Sequence, residues 1–262
     1  MRVCTLASGS SGNSTLVEGE DGSILVDAGL SGRAIAGGLN SIGVEPLDLD
    51  GILVTHEHVD HIRGVGVLAR KFDLRVYASE GAWVKIGPSI GKIPAYNQCV
   101  LERGKALCIE DLQIEHFETS HDAADSIGFA IHSKGTKVGI LTDTGYLTDS
   151  ARKHIDGSDL FVFEANHDLH MLKTGRYPWN LKKRILSDRG HLSNVAAGHC
   201  LASLVSGKTK GVVLAHLSEE NNSPGVAHST VAGILEEAGL ALNRNLVLDV
   251  APRCESGAVW HI

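Results

Sequence analysis

Six stretches of this chain that read as buried strands lead into a polar residue whose side chain can hold a metal ion: Asp27, His56, His121, Asp143, Glu164 and His216. A short apolar run closed by a sharp polar change reads as a buried strand entering a loop. In layered α/β folds the strand ends collect along one edge, where loops build the site. The recurring pattern therefore predicts an α/β chain that gathers imidazoles and carboxylates at a sheet edge.

The densest instance is Thr55-His56-Glu57-His58-Val59-Asp60-His61, directly after Gly51-Ile52-Leu53-Val54. His56 and His58 stand two apart, so an extended backbone sends both side chains to one side. Asp60 and His61 fall where the chain should turn into a helix and point elsewhere. One histidine in such a loop would be unremarkable; three with an aspartate predict a metal site. Imidazole and carboxylate suit zinc, manganese or iron. His121 completes a three-histidine set with His56 and His58, Asp143 bridges, and His216 joins Asp60 and His61. Two divalent ions held about 3.5–4 Å apart can activate a water and stabilise a displaced oxyanion.

The rest of the chain supports one domain over residues 1–262. No apolar run reaches about 18 residues, so no membrane-spanning helix is expected. The apolar start is too short for a signal peptide. Five scattered cysteines without a CxxC pair read as reduced thiols, which suits a cytoplasmic protein. The formal net charge of -7 argues against a protein that coats nucleic acid broadly, but leaves room for a local basic groove beside bound dications. Helices are expected over 31–42, 62–71, 79–86, 181–186, 194–205 and 227–238. A loop is expected over 87–97, which holds Pro88 and Pro94, and another from 168 to about 180.

The motif His56-x-His58-x-Asp60-His61, followed by His121, Asp143 and His216, resembles the signature of the metallo-β-lactamase-fold hydrolases. Within them, residues 7–14, 164–168, 189–194 and 215–222 resemble the YycJ-like (VicX) family. The resemblance implies an αββα four-layer sandwich with a dimetal site at one edge. It implies kinship with tRNase Z and RNase J, and 5′-to-3′ exonuclease activity on DNA by attack of a metal-activated hydroxide on phosphorus. Asp27 matches the family's first motif, a structural aspartate or one that orients a ligand. His191 matches a histidine that assists the leaving group in tRNase Z-like enzymes. The chain lacks room for the inserted domain of RNase J and for a long exosite arm.

Roles follow from chemistry and position. Asp60 steers the hydroxide and His191 protonates the leaving alkoxide. Glu164, His167 and Asp168 orient ligands or line the pocket. Lys173, Arg176, Lys182, Lys183 and Arg184 are candidates for gripping the backbone, with Tyr177 and Trp179 interleaved. The turn holding Ser10, Ser11 and Asn13 is a candidate cradle for a terminal phosphate. DNA is the expected partner, and no membrane or particular protein partner is indicated. The alternative is a hydrolase of a small lactone, thioester or cyclic phosphodiester using the same ions.

Overall fold

Three short antiparallel strands open the chain: β1 (Arg2–Ala7), β2 (Ser14–Glu18) and β3 (Ser23–Val26). The computed structural model describes residues 1–242 and 246–262. Helix α1 (Gly32–Ser41) follows, its first turn capped by the Ser31 side chain accepting from the Ala34 N–H. Then come β4 (Gly51–Leu53), α2 (Val59–Ile62), α3 (Val65–Phe72), β5 (Arg75–Ala78), α4 (Glu80–Ile90), β6 (Gln98–Val100) and β7 (Leu107–Ile109). The chain continues with β8 (Leu112–Glu118), β9 (Ile127–Ser133), β10 (Thr136–Leu141), α5 (Asp149–Ile155) and β11 (Leu160–Glu164). The last part holds α6 (Leu169–Thr174), α7 (Trp179–Ile185), α8 (Asn194–Leu204), β12 (Gly211–Ala215), α9 (Pro224–Glu237), β13 (Val247–Val250) and β14 (Trp260–His261).

The chain forms two compact units. The first is Met1–Glu115, Ala123–Ile127 and Pro252–Ile262. Its sheet runs β14-β1-β2-β3-β4-β5-β6, antiparallel from β14 to β3 and parallel from β3 to β6. Leu16, Leu25, Ile52 and Val76 from the strands pack with Ile35, Leu39, Leu68 and Ile86 from the helices. Strands β3 and β4 are buried at every residue, which is why β4 reads as an unbroken apolar run rather than an alternating one.

The second unit is His116–Asp122 and Gly128–Ala251. Its sheet contains β13-β12-β11-β10-β9 in that order, with β10 to β13 parallel and β9 antiparallel to β10. Phe161, Phe163, Val212 and Leu214 pack with Leu201, Leu204, Val231 and Leu235 of α8 and α9. Ser223 caps α9 and Pro224 takes its first position, where a missing N–H is harmless.

The structure departs from the sequence reading at several helices, among them α5, which that reading leaves unassigned, and α9, which starts three residues earlier than expected. The helix expected over 62–71 is two helices broken at Arg63–Gly64, where the Gly64 N–H donates to the Ala28 carbonyl at 2.7 Å instead of to the preceding turn, and a Cβ on Gly64 would meet the Leu30 carbonyl at 2.5 Å. The loop expected over 87–97 starts later: α4 runs through Pro88 to Ile90 and stops at Gly91, whose φ of 72° suits glycine. The polar stretch after Asp168 contains α6, started by the Asp168 carboxylate accepting from the Met171 N–H. Among the described residues no helix is long and apolar enough to cross a membrane. All five cysteines are unbridged.

Candidate active site

Three of the six strand ends that carry candidate residues have a left-handed backbone. Asp27, Asp143 and His216 are non-glycine residues in the left-handed region, with φ of 62°, 57° and 57°. They stand just past the ends of β3, β10 and β12. Such a conformation costs on the order of 1 kcal/mol or more, and where the surroundings enforce it a functional role is the usual reason.

In the first unit Asp27 organises the histidine loop. Its Oδ1 accepts from the Thr55 N–H at 2.8 Å, and its Oδ2 accepts from the Thr55 hydroxyl at 2.9 Å and from His61 Nδ1 at 2.7 Å. A carboxylate only accepts, so the His61 proton sits on Nδ1 and the lone pair on Nε2. The Thr55 hydroxyl, its proton given to Asp27, accepts from His56 Nδ1 at 3.0 Å. The His56 lone pair is thereby also on Nε2, which faces His58 Nδ1 at 2.9 Å. Two imidazole nitrogens that close are the donor arrangement for one shared cation. Asp60 and His61 sit inside α2, with Asp60 Oδ2 3.6 Å from His61 Nε2. Gly29 lets α2 come this near: a Cβ there would lie 1.7 Å from the Asp60 carbonyl oxygen.

The turn proposed for a phosphate is tied into this network. Asn13 is buried; its Oδ1 accepts from the Gly9 N–H at 2.8 Å, and its Nδ2 donates to the Gly9 carbonyl at 3.1 Å. The same Nδ2 lies 3.1 Å from His61 Nε2. Asn13 thus braces the histidine loop from within. Ser10 is exposed, and Ser11 Oγ lies 4.0 Å from Cys254 Sγ.

In the second unit one carboxylate holds two imidazoles. Glu164, fully buried at the end of β11, accepts at Oε1 from His191 Nδ1 at 2.8 Å and His216 Nδ1 at 2.9 Å. Its Oε2 accepts from the Thr144 and Leu192 N–H groups at 3.1 and 3.0 Å. Burial pushes the Glu164 carboxyl up, but His191 and His216 pull it down by more, and the net is well below the ordinary 4.5. Asp143, Glu164, His191 and His216 each offer a ligand atom within 4.8 Å of the others. His121 Nδ1 donates to the Gly190 carbonyl at 3.2 Å, leaving Nε2 as its acceptor. Burial lowers the His121 imidazole from its usual 6.5, which favours the neutral form that binds metals. The His191 ring lies 5.0 Å from the His121 ring and 5.3 Å from the His216 ring. His167 is buried beside Ser193, and burial pushes it down to about 4; neither ring nitrogen has a hydrogen-bond partner among the described residues.

The basic segment divides. Lys173, Arg176 and Lys183 are exposed. Lys182 departs from the expected substrate role: it is 7% exposed, and its ammonium donates to the Lys173 and Gly175 carbonyls at 2.8 and 2.7 Å, closing the end of α6. Two of its three donors are consumed. The Arg184 guanidinium is held by Asp122, and Arg189, the last cation of the segment, donates twice to the His121 carbonyl.

The metallo-beta-lactamase superfamily model matches residues 7–192. The chain is 45% identical over 242 residues to the exodeoxyribonuclease YycJ of Bacillus anthracis, covering 92% of each chain. It is 43% identical over 250 residues to the exodeoxyribonuclease WalJ of Streptococcus pneumoniae, covering 94% of this chain and 93% of the relative. Among solved structures it resembles the metallo-beta-lactamase fold protein YhfI of Bacillus subtilis, with a TM-score of 0.73 at 18% identity over 99% of this chain and 98% of that one.

Proposed function

Because the chain belongs to the metallo-beta-lactamase superfamily and has its α/β sandwich fold, we propose that it is a metal-dependent exodeoxyribonuclease that degrades DNA from the 5′ end. The whole of residues 1–262 is read as one domain of that family. The observation that carries the chemistry is Glu164, one buried carboxylate that fixes the tautomer of two imidazoles at once.

The donor set fits divalent ions. His61, His56, His121 and His216, whose Nδ1 atoms are taken by Asp27, Thr55, Gly190 and Glu164, keep Nε2 as the nitrogen that would bind, and such outer partners are what metal-binding imidazoles need. The proposed ligands are His56, His58, Asp60, His61, His121, Asp143 and His216, holding two ions of zinc, manganese or iron. When bound, such ions make water a nucleophile near neutral pH and stabilise an oxyanion.

The chain's own residues do the rest. Asp27 and Thr55 hold the rings of His61 and His56 in one tautomer. Asp60, with a carboxylate oxygen beside His61 Nε2, orients the attacking oxygen. His191, protonated at both nitrogens with Nδ1–H on the Glu164 carboxylate, presents Nε2–H to the leaving alkoxide, gives up that proton to it and is left neutral with Nδ1–H still on Glu164. Digestion of end-labelled DNA and RNA, each with and without a 5′-phosphate, by metal-reconstituted protein tests the reading. Mononucleotides released in order from the 5′ end of DNA support it. Cleavage of RNA alone, or of neither polymer, contradicts it.

A further inference from the structure

We propose that the exposed face of α7 is a stacking platform for a nucleobase of the bound DNA strand, with the Trp179 indole as its surface and Lys183 as its cation. The inference rests on the nuclease reading and names what part of the substrate this face reads: a base, where the ion-binding residues read only the phosphodiester.

Helix α7 has two distinct faces. Lys182 and Ile185 are its buried side, and Lys182 pins that side to the end of α6 through the Lys173 and Gly175 carbonyls. The pin turns Trp179 and Lys183, four residues apart on the same face, outward. Trp179 is 58% exposed, and the Lys183 ammonium lies 5.8 Å from its ring centroid. An indole left in water with a cation beside it offers a flat π surface next to a phosphate ligand. Every base has a π face, so stacking on such a residue is strong without demanding a sequence.

The surroundings select a polyanion. Residues 173–189 carry six cations and a single acid, Asp188, in a chain whose net charge is -7. Lys173, Arg176 and Lys183 are exposed on this segment. The platform is also rigidly joined to catalytic candidates. Arg184 is paired with Asp122, Arg189 donates to the His121 carbonyl, and Gly190 accepts from His121 Nδ1. The stretch that leaves α7 thus clasps His121 and leads directly into His191.

The test uses metal-loaded protein and a phosphorothioate-linked strand that resists cleavage. Trp179→Ala should weaken binding of that strand about tenfold, within the range of one stacked base, and Trp179→Phe should recover most of it. On an abasic strand of equal length the wild type and Trp179→Ala should bind alike. Tryptophan emission of the wild type should be quenched by the base-bearing strand, and that of Trp179→Phe much less. Turnover of bis(p-nitrophenyl) phosphate, which has no base, should not change. Equal binding of base-bearing DNA by wild type and Trp179→Ala, or an equal loss on the abasic strand, overturns the platform. A wild type that binds but never cuts unmodified DNA with zinc, manganese or iron sinks the nuclease reading, while the binding comparison still decides the platform.

Discussion

Glu164→Gln is expected to lower DNA hydrolysis and metal affinity together, each by about ten- to a hundredfold. The carboxylate receives four donors: two imidazole N–H groups on Oε1 and two backbone N–H groups on Oε2. An amide replaces one acceptor oxygen with an NH2 group. With its oxygen toward His191 and His216, its nitrogen meets the N–H groups of Thr144 and Leu192. Flipped, its nitrogen meets both rings. Neither orientation satisfies the site, and a buried unmatched donor is costly. His216 loses its fixed tautomer, which weakens the proposed ion binding, and His191 loses the partner that holds its Nδ1–H and so aims Nε2 at the leaving group. Isothermal titration with zinc and a DNA cleavage assay measure the two losses. Acid sharpens the distinction. The Glu164 carboxyl lies below its ordinary 4.5 in the folded chain, so its stabilising effect is complete above about pH 4.5 and is lost as pH falls through the folded value. The stability gap between wild type and Glu164→Gln should therefore be widest at neutral pH and shrink under acid, read from urea unfolding. A gap that does not change with pH contradicts the assignment.

His191→Ala is expected to lower kcat on DNA by a factor of about 10² to 10⁴, with KM little changed. The ring is partly exposed and held by a single hydrogen bond to Glu164, so its loss leaves the fold intact. Its proposed task is to protonate an alkoxide, a poor leaving group. A p-nitrophenolate leaves without that help. The variant should therefore keep most of its rate on bis(p-nitrophenyl) phosphate while failing on DNA. Equal losses on the two substrates would show that His191 holds the site together rather than moving a proton.

The ends of the buried strands were legible because each apolar stretch gives way to polar residues: β3 stops before Asp27, β11 closes on Glu164 and β12 stops before His216. The Asp27 contact with His61 follows from that position, and its carboxylate indeed meets the His61 ring. What the letters hid was how one residue serves several. Nothing in the spacing of Glu164, His191 and His216 states that one carboxylate joins two rings, since three separate strand and loop ends must meet to make it. The left-handed turns at Asp27, Asp143 and His216 were equally hidden, because neither aspartate nor histidine announces positive φ as glycine does. In the basic segment six cations read alike, yet one of them, Lys182, faces inward. A helix periodicity seven residues long is too short to tell which.

The most direct measurement is elemental analysis of the reconstituted, dialysed protein paired with DNA cleavage before and after chelation. The account predicts about two divalent transition-metal ions per chain, fewer in Asp143→Ala, and cleavage that vanishes on chelation and returns with added metal. Undiminished cleavage by chelated protein shown to hold no metal would contradict it.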